Sequence, residues 1–159
     1  MDGIIRGVSL SAGGKELLSG LRVRYPGREL IRKDSRGLPS YIGDFLKGLG
    51  SGTRGLKIKY DRSILTPFQK KVFRALVRVK AGSTISYSGL AKAVKTASSR
   101  AVGGALRSNP YPLIIPCHRV IKNDGSPGGY AGASRRMQLV KIKLLKQEAG
   151  AAKGKQKSR

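Results

Sequence analysis

The chain has 159 residues, 39% of them hydrophobic, enough for one ordinary domain or one domain with a smaller unit attached. No apolar run approaches the roughly 18 residues of a membrane-crossing helix, and Met1-Asp2-Gly3 does not open a signal segment, so a cytoplasmic protein without a membrane partner is expected. Its 33 Lys and Arg against 8 Asp and Glu give a formal charge of +25, a field that attracts polyanions, nucleic acid first. One cysteine cannot form an internal disulfide, and with one histidine it builds no zinc cluster. No metal and no cofactor are expected.

Residues 1–60 read as a small α/β unit. Ile4 to Leu10 and Leu17 to Tyr25 can pair as antiparallel strands around Gly13-Gly14. Tyr41 to Leu49 has helical spacing of apolar residues, and Leu56 to Tyr60 alternates as a strand. The chain changes character near residue 63. Thr66-Pro67-Phe68-Gln69 predicts a capped helix start, with Phe68, Val72, Phe73, Leu76 and Val79 buried along a helix to about Val79.

Two short helices are predicted next, Ser88 to Val94 and Ala97 to Ser108, the second capped at Thr96. On a basic chain this pair suggests a helix-turn-helix. The second helix carries Ser98, Ser99, Ala101, Gly103 and Gly104, with no Asn or Gln to read base edges. Small residues suit a close approach to a backbone or a minor groove. Gly103-Gly104 equally suits tight helix packing.

The apolar run Leu113 to Ile115 predicts a buried strand, stopped by Pro116, that presents Cys117 next to His118. Residues 122–132 form a glycine-rich loop without the Gly-Lys-Ser/Thr of a phosphate loop. A last helix is predicted from Ser134 to about Ala149, with Met137, Val140, Leu144 and Leu145 inward and Arg135, Arg136, Lys141, Lys143 and Lys146 on the wet side. Residues 151–159 read as a basic, disordered tail. The expected fold class is α+β: residues 1–60 with a short antiparallel sheet, then a mainly helical unit, residues 61–150, with the helix-turn-helix and the active-site loop.

A thiol is mostly protonated near pH 7 and needs a base to attack. His118 is that base if a carboxylate supports it. Beyond residue 60 only Asp61, Asp124 and Glu148 are available. Glu148 either supports the histidine or pairs on the surface with Lys143 or Lys146, and residue pattern alone favours the surface pair. A lone cysteine can also be a buried filler, and Tyr87 and Tyr130 core aromatics.

Pro116-Cys117-His118-Arg119-Val120, Arg100 to Leu106, Asn109-Pro110, Thr66 to Gln69, Ser86-Tyr87, Gly128-Gly129-Tyr130 and Leu144 to Glu148 together resemble the O6-alkylguanine-DNA alkyltransferases, over roughly residues 63–150. Nothing in the sequence demands more than a monomer, and the resemblance implies that it binds double-stranded DNA in the minor groove and flips out an O6-alkylguanine. It implies catalytic roles for Cys117, His118, Glu148 and Tyr87. Ser98, Ser99, Arg100, Ala101, Gly103 and Arg107 would face DNA, with Arg100 replacing the flipped base. Leu106, Pro112, Val120, Tyr130 and Ala131 would form the substrate pocket, and Asn109 the hinge. The alkyl group would pass irreversibly to Cys117, once per molecule. Competing readings are a non-catalytic alkylated-DNA-binding protein, a cysteine hydrolase and an architectural basic protein.

Overall fold

A computed structural model describes residues 59–131 and 134–156. The N-terminal strands and the helix Tyr41 to Leu49 lie outside the described residues, as does nearly all of the strand Leu56 to Tyr60. So does the antiparallel sheet. Among the described residues the fold is mixed, with four α-helices and one two-stranded sheet.

Helix α1, Pro67–Leu76, begins as its sequence dictates. Thr66 Oγ1 accepts from Gln69 N at 3.2 Å, and Gln69 Oε1 accepts from Thr66 N at 2.8 Å, a reciprocal capping box ahead of Pro67. Val72, Phe73 and Leu76 are buried, while Phe68 and Val79 pack partly buried at the margin of the core. Strand β1, Ile85–Ser86, leads directly into α2, Tyr87–Ala93. Ser86 serves both: its backbone pairs in the sheet, and its Oγ caps α2 by accepting from Gly89 N at 3.0 Å.

Helix α3 spans Ser99–Arg107. Its cap is Ser98, whose Oγ accepts from Ala101 N at 3.0 Å, and not Thr96. Thr96 instead accepts from Ser98 N at 3.4 Å, inside the turn between the helices. Val102, Ala105 and Leu106 are buried, and α3 contacts both α1 and α2.

The apolar run before the cysteine is not a strand. Residues 113 and 114 form a turn, with Pro112 bridged to Ile115. Pro110, Pro112 and Pro116 remove three ladder donors, and Leu113 takes φ +73°, which no strand allows. Cys117–Arg119 then make one turn of 3-10 helix, and β2, Val120–Ile121, comes after it. The sheet is parallel, with Ile85 opposite Val120 and Ser86 opposite Ile121.

Helix α4, Arg135–Gln156, continues past the expected end near Ala149, so residues 151–156 are helical rather than a disordered tail. Ala, Lys and Gln are strong helix formers, and no proline stops them. Met137 and Leu144 are buried, and Val140 packs against the core. Lys141 departs from its expected wet position: it is 1% exposed. The core centres on Leu76, Leu90, Val102, Tyr111, Ile115, Val120 and Leu144. Each such side chain stabilises the fold by about 1.5–3 kcal/mol. Among the described residues no helix is long and apolar enough to cross a membrane.

Candidate active site

The segment after α3 cannot hold itself by ladder bonds, so side chains hold it. Asn109 is the centre. Its Oδ1 accepts from Tyr111 N at 2.9 Å, and its Nδ2 donates to Ile115 O at 3.1 Å and to Cys117 Sγ at 3.2 Å. Ile115 N donates to Tyr111 O at 2.8 Å, and the Tyr111 hydroxyl donates to Asp61 O at 2.6 Å. These bonds over-determine the strained Leu113 backbone and fix the sulfur.

The 3-10 turn sends His118 and Arg119 toward α4. Glu148 Oε1 is 3.0 Å from His118 Nε2 and 2.7 Å from Arg119 Nη2. Arg119 Nε donates to Glu148 Oε2 at 2.9 Å, and Nη1 donates to Val79 O at 2.6 Å. Gly82 N donates to Glu148 Oε2 at 3.4 Å. Glu148 is 4% exposed and turned inward, so its partners are His118 and Arg119 rather than Lys143 or Lys146. It also lies within the extended helix, not at its C-terminus.

Burial alone would raise the Glu148 carboxyl, but the bonds from His118 and Arg119 outweigh it and hold it at about 2. Burial pushes His118 below its ordinary value against the pull of Glu148, so the ring is neutral near pH 7. With Nε2–H donating to a carboxylate, the lone pair of the neutral ring sits on Nδ1. Burial pushes the Cys117 thiol up, opposed by the Asn109 bond and the Lys141 charge. The resting thiol is therefore protonated.

A cavity of about 200 Å³ opens beside the sulfur. Cys117, Tyr130, Ala131 and Gly129 line it, with Tyr87 from α2 and Gly103, Leu106 and Arg107 from α3. Burial and the neighbouring sulfur push Tyr87 up, and Tyr130 goes well up for the same reasons. The Tyr130 ring meets His118 edge-on, centroids 6.3 Å apart. Gly128, at φ +67°, lets the loop approach Tyr87: a Cβ there would lie 3.3 Å from the ring and its hydroxyl.

Of the residues that the resemblance implies, Cys117, Tyr87, Leu106, Tyr130 and Ala131 line one cavity, with His118 and Glu148 adjoining. Pro112 and Val120 are buried but do not line the cavity. Gly103 and Arg107, expected to face DNA, are in its wall. Ser98, Arg100, Ala101, Gly104 and Arg107 are exposed on α3, and Ser99 and Gly103 are half-buried. A Cβ on Gly104 would meet nothing within 4 Å, and one on Gly103 would lie 3.9 Å from Tyr87 Cε1. Tight helix packing therefore does not explain these glycines.

The sequence reading missed Gly129, Arg119 and Lys141. Lys141 sat in view: Met137, Lys141, Leu144 and Glu148 share one helical face. Among the described residues no group of three or more His, Cys, Asp or Glu could hold a metal ion.

This scaffold defines a class: a buried cysteine at a small cavity, braced by an asparagine, next to a histidine held by a buried glutamate. The family model for the DNA-binding domain of 6-O-methylguanine DNA methyltransferase matches residues 67–150. The methylated-DNA–protein-cysteine methyltransferase of Pyrococcus horikoshii is 40% identical over 126 residues, covering 74% of this chain and 72% of the relative. That of Thermococcus kodakarensis is 48% identical over 84 residues, 52% of this chain and 48% of the relative, so the match spans about half that relative's length. The crystal structure of the O6-methylguanine-DNA methyltransferase of Pyrococcus kodakaraensis superposes with a TM-score of 0.70 at 32% identity, over 93% of this chain and 88% of that one. Mycobacterium tuberculosis OGT in complex with DNA gives 0.59 at 29% identity, over 77% and 78%. The chain belongs to the O6-methylguanine-DNA methyltransferase family.

Proposed function

We propose that this protein repairs DNA by moving the alkyl group of an O6-alkylguanine to its own Cys117, once per molecule. One observation carries the reading: Cys117 lines a cavity, its Sγ held by Asn109, and is followed in the chain by a neutral histidine bonded to a buried carboxylate. The names of the relatives, and a related structure holding DNA, agree with it.

The chemistry follows from the charges. α2 and α3 act as a helix-turn-helix, with the small exposed residues of α3 against the minor groove. Arg100 fills the gap left by the flipped guanine, which enters the cavity against Tyr130 and Leu106. The Cys117 carbonyl accepts from the base amino group, and the Ala131 amide donates to O6. The protonated thiol needs a base at the moment of attack, and neutral His118 supplies it through a water. Glu148 stabilises the imidazolium that forms. Sulfur bonds to the alkyl carbon as the carbon–O6 bond breaks, and the electron pair leaves with guanine. Tyr87, kept protonated by its raised pKa, gives N3 the proton that makes the departing base neutral. Thiol plus alkylguanine becomes thioether plus guanine. Nothing in the site cleaves a thioether, so turnover stops at one.

The protein acts as a cytoplasmic monomer. Loss of O6-methylguanine from a duplex should reach one per protein molecule and stop. Cys117→Ser should remove none. Repeated turnover, or removal by Cys117→Ser, would overturn the proposal. A lesion-binding protein without chemistry has no use for a held sulfur.

A further inference from the structure

The mechanism above leaves one buried charge unused. Lys141 is 1% exposed, yet among the described residues its Nζ has no carboxylate partner, since Glu148 is taken by His118 and Arg119. It donates to two main-chain carbonyls instead: Val120 O at 2.5 Å and Gly129 O at 3.2 Å. It also lies 5.9 Å from the centre of the Tyr87 ring. Val120 begins the strand after the reactive turn, Gly129 lines the cavity, and Tyr87 forms another wall. Burying an ammonium group is costly, and an apolar side chain would fill the same space without that cost.

We infer that Lys141 is a positioning residue of this site: its ammonium group ties the strand after Cys117 to the glycine-rich wall of the cavity and holds a positive charge within electrostatic range of the Cys117 thiol. The surrounding charges make that role specific. From the 3-10 turn, His118 is neutral and Arg119 is engaged with Glu148. Tyr87 from α2 and Tyr130 from the loop stay protonated. Among the described residues Lys141 is the cation whose charge acts on the thiol. Burial lowers it to about 8, against the pull of Cys117, so most of it is charged near pH 7. A charge that favours the thiolate raises the small thiolate fraction present near pH 7.

This inference rests on the alkyl-transfer reading only for the transfer rate. The thiol itself can be read independently, because Cys117 is the only cysteine of the chain and iodoacetamide reports on it alone. In folded full-length Lys141→Met, checked by circular dichroism, that reaction at pH 7, where the ammonium group is charged, should slow about tenfold or more. Lys141→Arg should keep most of the wild-type rate. Methyl transfer from duplex O6-methylguanine at pH 7 should slow by about the same factor in Lys141→Met. If Lys141→Met does not fold, Lys141→Gln, which still donates to a carbonyl, takes its place. A folded neutral variant whose thiol reacts at the wild-type rate at pH 7 overturns the inference. So does failure of both neutral variants to fold, which assigns the charge to stability alone. A slowed thiol reaction in a protein whose wild type transfers no methyl group would instead sink the alkyl-transfer reading and leave this one standing.

Discussion

The Glu148 carboxylate lies 3.0 Å from His118 Nε2, a bond closed across 30 positions of chain by a helix that has no other acidic residue. The same carboxylate takes two donors from Arg119. One side chain thus orients His118 and neutralises the only arginine buried beside it among the described residues. Replacing it by the isosteric Glu148→Gln leaves Arg119 buried without a counter-charge. The expected loss of stability is about 3 kcal/mol by urea unfolding. Transfer should slow by about 100-fold or more in single-turnover assays. A variant as stable as the wild type would show the Arg119–Glu148 pair to be inconsequential.

Acid should unfold the protein in two steps. His118 has an ordinary value of 6.5 and a lower one when folded, so its contribution is present above about pH 6.5 and fades as pH falls below it. Glu148 falls from 4.5 to about 2, so its contribution is present above pH 4.5 and is lost as pH drops toward 2. In both cases the unfolded chain binds the proton first, and stability declines with falling pH. Melting temperature measured from pH 7 to pH 3 should fall gently below pH 6.5 and more steeply below 4.5. Glu148→Gln should lack the second step.

Asn109→Ala removes three hydrogen bonds at once, to Tyr111 N, Ile115 O and Cys117 Sγ. The buried groups left behind gain no water. The expected cost is about 3 kcal/mol, and the rate of Cys117 alkylation should fall with it. A change under about 1 kcal/mol in denaturant melts would mean that the loop holds itself.

Gly82 is a packing constraint on the site from outside it. It sits at φ +81°, and a Cβ there would lie 2.7 Å from Ala152 Cβ and 3.1 Å from Glu148 O. Gly82→Ala should cost about 2 kcal/mol or more and displace α4 where it carries Glu148. Unfolding and single-turnover rate should change together. A stable variant that transfers at the wild-type rate would contradict the contact.

Arg100 is exposed on α3, so Arg100→Ala should leave stability within about 0.5 kcal/mol. Its effect should fall on flipping. Transfer from duplex O6-methylguanine should slow by about tenfold or more, while transfer from the free base, which needs no flipping, should not change. Equal losses on both substrates would remove Arg100 from the flipping step.

The parts legible in sequence were those set by local chemistry. The Thr66–Gln69 box needed only neighbours to form, and α1 starts where they say. Cys117-His118 and the proline before it marked the site. What failed depended on distant partners. The two-residue strands β1 and β2 have no pattern of their own and exist because they meet. The run Leu113 to Ile115 has strand composition, but proline spacing and Asn109 make it a turn. Ser98 won the cap from Thr96 because the turn consumed two extra residues. Charge misled twice. Lys141 and Glu148 both read as solvated by composition, and both are buried because α4 presents one face to the reactive turn.

The most direct test is the intact mass of the protein after mixing with a duplex holding one O6-methylguanine. The account predicts a gain of one CH2, found on the peptide carrying Cys117 and never more than one per molecule. A protein that binds the damaged duplex with its mass unchanged would contradict the account.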